Sequence, residues 1–221
     1  HDDIERIEES LPLHAIVLSN KEDSTKPTLI DKRLQNDEHV NKGDHNGSTA
    51  LSIAVEAGNI SAAKFLIKRG CDPNQKDNKM QAPIHLAIKS ISNEEYQMEI
   101  VQMLISHRAD VNLKQNQGAT ALHYAVGKSR IKAAKILLQN GADPNSQRDD
   151  KITPLHQAIS FIEDEEKQLE MVQMLISHRA DVNLKQHQGA TALHYAASKS
   201  RIKTAKILLQ NGADPNSQRD D

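Results

Sequence analysis

The chain carries one 28-residue stretch twice, and this duplication constrains its fold more than any other feature. GATALHYAVGKSRIKAAKILLQNGADPN at residues 118–145 returns 71 residues later, at residues 189–216, with only three substitutions. Its apolar spacing predicts two helices of roughly eight to ten residues, which are too short to persist alone because helix nucleation is costly. A like neighbour can bury the apolar face that each helix would otherwise expose to water. The repeat therefore predicts an array of stacked units rather than a globule around one shared core.

Related segments recur along the whole chain with an alternating period. The hexamers that open each apolar segment begin near residues 11, 49, 82, 120, 153 and 191, so intervals of 38 and 33 residues alternate. The chain thus reads as three double modules of 71 residues. We expect one continuous array over residues 1–221, in which residues 1–10 form a lead-in. Because the sequence lacks an initiator methionine and stops inside an expected turn, we interpret it as a fragment of a longer protein.

Each unit contains ordinary signals for the ends of helices. Thr120 stands at an N-cap position, and His123 can return a hydrogen bond from three residues further on, as in a capping box. Gly141 predicts a left-handed stop after the second helix, and the polar residues that follow it predict an extended turn. In the long units, prolines occupy the first helical position, where a missing N–H costs least; these are Pro12, Pro83 and Pro154.

The residues of one unit resemble the signature of the ankyrin-repeat family. The family's T-P-L-H-x-A pattern stands in full at residues 153–158, and its trailing LLxxGADxN pattern stands at residues 137–145. The resemblance implies an all-α solenoid of stacked helix-turn-helix units, with alternating 33- and 38-residue repeats and projecting fingers made by β-hairpins or turns. We also expect Tyr124 and Tyr195 to be half-buried against the next repeat. In five units, a signature histidine is expected to make a structural hydrogen bond between adjacent turns: His14, His85, His123, His156 and His194.

The long units depart from the family by five extra residues between their two helices, around 19–27, 90–97 and 160–168. Each insert bears acidic residues, whereas the short units place basic residues such as Lys128 and Lys199 near the same edge. We therefore expect acidic and basic ends to neighbour each other in the stack. Two interpretations stay open: a solvated edge with ion pairs worth about 0–1 kcal/mol each, or a ridge on which a partner docks.

A second departure concerns the residue that ends the second helix. Glycine holds this place in the short units, at Gly70, Gly141 and Gly212. Arginine holds it in the long units, at Arg108 and Arg179. A left-handed backbone at an arginine costs roughly 1 kcal/mol or more. We therefore predict that the long units end this helix with a modified cap.

Several classes of chemistry are disfavoured by the sequence. A net charge of −2 and 2 % aromatic residues disfavour nucleic-acid binding, and no apolar run is long enough to span a membrane. The GKS at 127–129 lacks the first glycine of a phosphate-binding loop, and the eleven histidines show no HExxH spacing. The single cysteine, Cys71, occupies a packing position, and no nucleophile stands at a recognised spacing from a base. We expect no enzyme activity, metal, cofactor or small-molecule substrate, and a cytoplasmic protein.

The resemblance implies a module that binds a partner protein through its concave face, its fingertips and the exposed ends of its first helices. Carried onto matching positions, the fingertip residues are Asp44, His45, Asn46, Asp77, Asn78, Lys79, Gln115, Asn116, Gln117, Arg148, Asp149, Asp150, Gln186, His187 and Gln188. The helix-end residues are Glu56, Lys89, Lys128, Ser160, Phe161 and Lys199. This surface is polar and nearly lacks the aromatic and arginine anchors that dominate strong interfaces. Phe161 is its one apolar candidate.

The biological setting is open between several interpretations. The composition and the fresh duplication resemble ankyrin proteins of intracellular bacteria that act inside host cells, which makes the chain a candidate host-acting effector. One alternative is a recruiting segment of a larger enzyme or toxin whose catalytic domain lies outside the chain. Another is a spacer whose only role is stacking. The resemblance also points to Asn112 and Asn183 as sites that asparagine hydroxylases accept.

Overall fold

The computed structural model describes Asp31 and residues 39–220. This part of the chain contains ten α-helices and no β-strand beyond an isolated antiparallel bridge between Gly43 and Thr49. The expected all-α fold class is therefore confirmed, and the described fingers are turns rather than ribbons of paired strands. The expectations that fall outside the described residues concern the lead-in 1–10, the repeat that begins near residue 11, Pro12, His14 and the insert 19–27.

The chain divides into two compact units, His1–Asp110 and Val111–Asp221. The described helices of the first unit are α1 (Ala50–Glu56), α2 (Ile60–Lys68), α3 (Pro83–Ser90) and α4 (Glu94–Ser106). The second unit opens with a short 3-10 turn and continues with α5 (Ala121–Gly127), α6 (Ile131–Gln139), α7 (Pro154–Phe161), α8 (Glu165–Ser177), α9 (Ala192–Ser198) and α10 (Ile202–Gln210). One continuous array over the whole chain stays a prediction.

Within each unit, the first helix of a repeat packs on the first helix of its neighbour, and second helices pack on second helices. In the first unit, α1 lies against α3 and α2 against α4; in the second, α5, α7 and α9 lie side by side, as do α6, α8 and α10. Aliphatic side chains fill the interior, among them Leu51, Leu66, Leu122 and Leu137. Burying one leucine contributes about 1.5–3 kcal/mol, so each repeat depends on its neighbour for its core.

The five extra residues of the long units mainly lengthen the second helix rather than the loop before it. Helices α4 and α8 have 13 residues each, whereas α2, α6 and α10 have 9. The N-caps of the longer helices, Asn93 and Asp164, accept hydrogen bonds from the N–H groups of Tyr96 and Lys167, both at 3.0 Å. Two glutamates follow each cap, where negative charge meets the positive end of the helix dipole. The acidic inserts are therefore well suited to start a helix.

A buried glutamine joins this extra turn to the first helix of the same repeat. The Nε2 group of Gln97 donates to the carbonyl oxygens of Ala87 and Ile91, at 3.0 and 3.1 Å, and Nε2 of Gln168 donates to Ile162 at 2.8 Å. These carbonyls lie at or just after the C-terminal end of the first helix, where backbone acceptors lack an intrahelical partner. Gln97 and Gln168 occupy the same position in their two long repeats. This recurrence is the feature of the sequence from which the contact could have been predicted.

The prediction of a modified helix stop at Arg108 and Arg179 is wrong. Both residues take the ordinary left-handed backbone, with φ of 68° and 71°, as does Gly141 with 84°. The N–H groups of Arg108 and of the buried alanine after it donate to Ile105 and Leu104, at 3.0 and 2.9 Å, in the same pattern as follows Gly141. Tertiary packing of the residues after the stop therefore outweighs a local steric cost of about 1–2 kcal/mol.

Candidate functional site

The signature histidines join the fingers to the helices. Nε2 of His123 lies 3.1 Å from the carbonyl oxygen of Ile152, and Nδ1 lies 3.2 Å from the N–H nitrogen of Thr120. Because a carbonyl can only accept, the proton must lie on Nε2, and Nδ1 accepts. His156 makes the same bond to the carbonyl of Ala190, at 3.2 Å. The expected hydrogen bond between adjacent turns is therefore confirmed for His123 and His156.

Burial keeps these two imidazoles neutral. It lowers the pKa of His123 to about 4 and also lowers the pKa of His156, because a charged ring loses its hydration in the interior. The hydrogen bonds to the backbone carbonyls oppose this shift without cancelling it. A neutral ring can accept at one nitrogen and donate at the other, so the linkage between fingers and helices depends on this protonation state.

The backbone of each fingertip turn is bonded to the neighbouring tip of the same unit. In the second unit, the N–H of Asp149 donates to the carbonyl of Gln117 at 3.0 Å, and the N–H of His187 donates to the carbonyl of Asp150 at 3.1 Å. The first unit repeats this link between its two described tips, at 2.9 Å. The tips of each unit therefore form a row with a fixed spacing, from which side chains project.

Turn asparagines form a second set of bonds at the bases of the fingers. The side-chain amide of Asn145 donates to the carbonyl of Arg179 at 3.0 Å and accepts from the N–H of Asp181 at 2.7 Å. Asn112 and Asn183 make the same pair of bonds with the repeat that follows each of them. The amides at both expected hydroxylation positions thus take part in stacking, and their modification stays a prediction.

Most of the predicted fingertip side chains are exposed. The exposed ones are His45, Asn46, Asn78, Lys79, Asn116, Gln117, Asp149, His187 and Gln188. The partly buried ones are Asp44, Asp77, Gln115, Arg148 and Asp150. Asn46 and Asn78 contact His45 through their amide groups, whereas the exposed tips of the second unit project from turns that backbone bonds already hold.

Some predicted tip residues instead hold the turn itself. The carboxylate of Asp44 accepts from two N–H groups of its own turn, at 2.8 and 2.9 Å. Asp77 does the same in the next finger, at 2.9 and 2.8 Å. Gln186 was expected at the surface, but it is only 8 % exposed, and its Oε1 accepts from the N–H of Gln188 at 2.8 Å. The prediction of a surface position for Gln186 is therefore wrong.

The predicted helix-end residues lie at the C-terminal ends of the first helices. The exposed ones are Glu56, Lys89, Lys128, Phe161 and Lys199, and Ser160 is partly buried. Phe161 is 59 % exposed, whereas the next residue, Ile162, is only 2 % exposed. Lys128 and Lys199 follow α5 and α9 at the position that Phe161 holds in its own repeat. The three side chains therefore occupy equivalent places in three consecutive repeats.

Acidic and basic side chains of neighbouring repeats form ion pairs, and the pair in the second unit joins an acidic insert to a basic residue of the next repeat, as expected. In the first unit, Lys64 forms an ion pair with Glu99. In the second unit, the Nζ of Lys203 lies 2.8 Å from a carboxylate oxygen of Glu165. Both pairs are exposed, so each contributes about 0–1 kcal/mol. They favour the interpretation of a solvated edge, and a docking ridge stays a prediction.

Tyr124 and Tyr195 are partly buried, as expected, but Tyr195 lies against the preceding repeat rather than the next one. Its ring stands edge-on to the ring of His156, with the centroids 5.4 Å apart and the planes at 71°. Edge-on packing is a favourable arrangement for two rings because the positive edge of one faces the negative face of the other. The tyrosine therefore covers a signature histidine and supports its burial.

Metal binding and thiol chemistry were the remaining alternatives for these side chains. In residues 39–220, no three His, Cys, Asp or Glu side chains lie close enough together to hold a metal ion. In the same part of the chain, no helix is both long and apolar enough to cross a bilayer. Burial raises the pKa of Cys71 to about 12, so its thiol stays protonated and is a poor nucleophile at neutral pH.

Helix pairs of alternating length, bonded fingers and exposed fingertips together define a helical repeat protein with polar fingertip surfaces. Family models of ankyrin repeats match residues 78–148 and 140–219 in one case and residues 34–87 in another. The chain belongs to the ankyrin-repeat family. Ankyrin repeats are generally protein–protein interaction modules.

Similar proteins cover most of the chain. An ankyrin repeat domain from Acinetobacter baumannii AYE is 29 % identical, with a TM-score of 0.81 over 92 % of this chain and 98 % of that one. The transient receptor potential cation channel subfamily A member 1 of Homo sapiens is 33 % identical over 80 % of this chain and 16 % of the channel. The B-cell lymphoma 3 protein homolog of Mus musculus is 31 % identical over 92 % of this chain and 44 % of that protein. The chain spans less than half the length of either curated relative.

Proposed function

We propose that this chain is a non-catalytic module that binds a partner protein through its fingertips and the exposed ends of its first helices. The observation that carries the proposal is that the backbone of each tip is held by bonds to its own turn and to the neighbouring tip. The exposed side chains of Asn116, Gln117 and His187 therefore stand on a rigid support. A preorganised surface loses little conformational entropy when it binds, which favours affinity.

The chemistry of the exposed tips favours selective recognition. Asn, Gln and His side chains can each donate and accept hydrogen bonds, so a partner must match several positions at once. A mismatched partner would leave some of these groups without a hydrogen bond in a buried interface. Its binding would be weaker, because the lost hydration of those groups is not compensated. We therefore infer that the tips contribute selectivity and that the helix ends contribute the apolar contact, since Phe161 is exposed there.

A second candidate is a recruiting segment within a larger enzyme or toxin. Its support is that the segments similar to this chain make up 16 % and 44 % of two curated relatives, so repeats like these occur as parts of longer chains. In that case the fingertip surface would bring a substrate or partner to a domain elsewhere in the same protein. The host-acting effector role and the cytoplasmic location stay predictions.

Affinity capture with three purified forms of the chain tests the proposal. The tip variant combines three changes at exposed positions without altering the net charge: Asp149→Arg, His187→Glu and Gln188→Glu. The control variant carries the same net change on the exposed face of the second helices: Lys135→Glu, Gln139→Lys and Gln210→Lys. Circular dichroism and urea unfolding serve to check that both variants are folded. All six positions are exposed, so little change in stability is expected.

We expect the wild-type chain and the control variant to capture the same protein, and the tip variant to bind it at least about tenfold more weakly in a purified titration. Equal binding by all three forms would remove the finger side from consideration. For the recruiting candidate, deleting the array from the longer protein should abolish turnover of the captured partner but spare a small model substrate. Loss of both activities would contradict a purely recruiting role.

A further inference from the structure

Phe161 is an exposed aromatic side chain in a surface that is otherwise polar. It is 59 % exposed, although it directly precedes the buried Ile162. The two other aromatic rings on the first helices of the second unit, Tyr124 and Tyr195, are both partly buried. A single exposed apolar residue is common and needs no explanation by itself. Its significance here depends on the residues at the equivalent positions in the repeats on either side.

Those two positions hold exposed lysines, Lys128 and Lys199. The ammonium groups of both lysines make no hydrogen bond or ion pair with any residue that the structure describes. Because α5, α7 and α9 lie side by side, and packed helices are about 8–10 Å apart, the three side chains follow one another across the repeats. We call this row, made of Lys128, Phe161 and Lys199, the helix-end row.

Two carboxylates of the acidic insert next to the helix-end row are engaged within the chain, and Glu163 and Glu166 are exposed. The carboxylate of Asp164 caps α8, and Glu165 pairs with Lys203 at 2.8 Å. Arg201 adds a further positive charge beside the row, since its guanidinium donates to the carbonyl oxygen of Ile162 at 3.4 Å rather than to a carboxylate. Neither lysine of the row pairs with a carboxylate of this insert, so both can pair with a carboxylate from outside the chain.

We propose that the helix-end row binds an extended segment of a partner protein that carries one apolar side chain between two acidic ones. The apolar side chain would cover Phe161, and the acidic ones would pair with Lys128 and Lys199. In the extended polyproline II conformation a segment rises about 3.1 Å per residue and has three residues per turn, so a step of about 8–10 Å between repeats corresponds to about three residues and leaves their side chains on the same face. The expected motif is therefore acidic-x-x-apolar-x-x-acidic. This inference rests on the proposed protein-binding function and names the chemistry of its partner.

A phage-displayed library of random peptides, long enough to span three repeats, tests the motif without knowledge of the natural partner. It is selected in parallel on the wild-type chain and on a variant that combines Phe161→Ala, Lys128→Glu and Lys199→Glu. We expect the wild-type chain to enrich peptides with an apolar residue flanked by acidic residues three positions away on each side, and the variant to lose this enrichment. Enrichment of the same sequences by both forms, or no enrichment of acidic residues by the wild-type chain, would overturn the inference.

Fluorescence anisotropy with a selected peptide separates the contributions. Phe161→Ala should weaken binding at least about tenfold, as expected for an aromatic anchor. The pair Lys128→Glu and Lys199→Glu should weaken it by a similar factor at low salt and less at high salt, because salt screens exposed charges. The charge-matched control, Lys135→Glu with Lys206→Glu on the second helices, should bind like the wild-type chain. An equal loss of peptide affinity in the control would show that the effect comes from the change in net charge alone, and would refute the helix-end row as the binding site.

The outcome can be told apart from failure of the proposed function. If the captured partner binds the wild-type chain and loses affinity for the fingertip variant, but no acidic peptide is enriched, only the helix-end row is refuted. If neither the fingertip variant nor the helix-end variants change the binding of any captured protein, the proposed function itself fails.

Discussion

The hydroxyl group of Thr204 donates a 2.8 Å hydrogen bond to Oε1 of Gln168, and both side chains are buried. Thr204 is one of the three residues that differ between the duplicated stretches, and the equivalent position holds Ala133. The Nε2 group of Gln168 already donates to the carbonyl of Ile162. The threonine thus completes the hydrogen bonding of a buried amide, which is costly when it is left partly unpaired.

We expect Thr204→Val to lower the free energy of unfolding by about 1–3 kcal/mol, because it keeps the shape of the side chain but leaves Oε1 of Gln168 without a donor. Thr204→Ser retains the hydroxyl and serves as the control, with a smaller loss. Urea unfolding followed by circular dichroism measures both. If the valine variant is as stable as the serine variant, the hydrogen bond does not contribute to stability.

The duplicated stretches differ at Gly127, whose equivalent in the later copy is Ser198. We expect serine to be unfavourable at position 127. A Cβ atom on Gly127 would lie 2.5 Å from Nε2 of Gln157 in the following repeat, whereas the equivalent Ser198 is exposed. We expect Gly127→Ser to cost about 1 kcal/mol, since the glutamine must leave its rotamer. Ser198→Gly should change stability little. Adding Gln157→Ala to Gly127→Ser should remove the penalty in a double-mutant cycle, and an unchanged penalty would refute this contact as its cause.

The left-handed arginines are sites where glycine should stabilise the protein. Arg179 has φ of 71°, a conformation that costs an ordinary residue about 1–2 kcal/mol and that glycine adopts freely. Allowing for the greater freedom of glycine in the unfolded chain, Arg179→Gly should raise the unfolding free energy by about 0.5–1 kcal/mol. Arg179→Ala removes the same side chain but keeps the strain, so it should give no gain. Thermal unfolding compares the two, and equal melting temperatures would argue against backbone strain.

The buried histidines should make stability depend on pH. The folded-state pKa of His123 is lowered to about 4 from an ordinary value of 6.5, so the unfolded chain binds the proton more readily. The stabilisation is therefore complete above pH 6.5 and is lost progressively as the pH falls towards 4, by up to about 3 kcal/mol for this group. Urea unfolding across this range measures the loss, and an NMR titration locates the pKa. A His123 resonance that titrates near pH 6.5 in the folded protein would contradict the prediction.

Local signals in the sequence were sufficient for much of the fold and part of the surface. The capping box of Thr120 and His123 and the stop at Gly141 were predictable because they depend on residues close together in the chain. The bond from His123 to the next finger followed from resemblance to the family. The exposure of His187 and Gln188 was also predicted correctly, since tight turns leave their tips in water.

Other features depended on partners that are distant in the chain. The left-handed backbone at Arg108 was not predicted. Conformational propensity describes the local steric cost of this backbone at an arginine, but not the tertiary packing of the residues that follow. The burial of Gln186 was missed, because fingertip residues in the repeat pattern were expected to face water. The position of Tyr195 against His156 was assigned to the wrong neighbour, because spacing alone does not say which side of a repeat a ring covers.

The sequence by itself determined that short helix pairs stack within each unit of this protein, because the period is explicit and each pair has an apolar face that it cannot bury alone. Only the tertiary structure decided which polar side chains hold the stack together and which remain available to a partner. Gln168 and Asn145 are engaged by neighbouring repeats, whereas Asn116 and Phe161 are exposed. The physical reason is that these polar groups of one repeat find their hydrogen-bond partners about one repeat length away, and that distance is bridged only when the units pack.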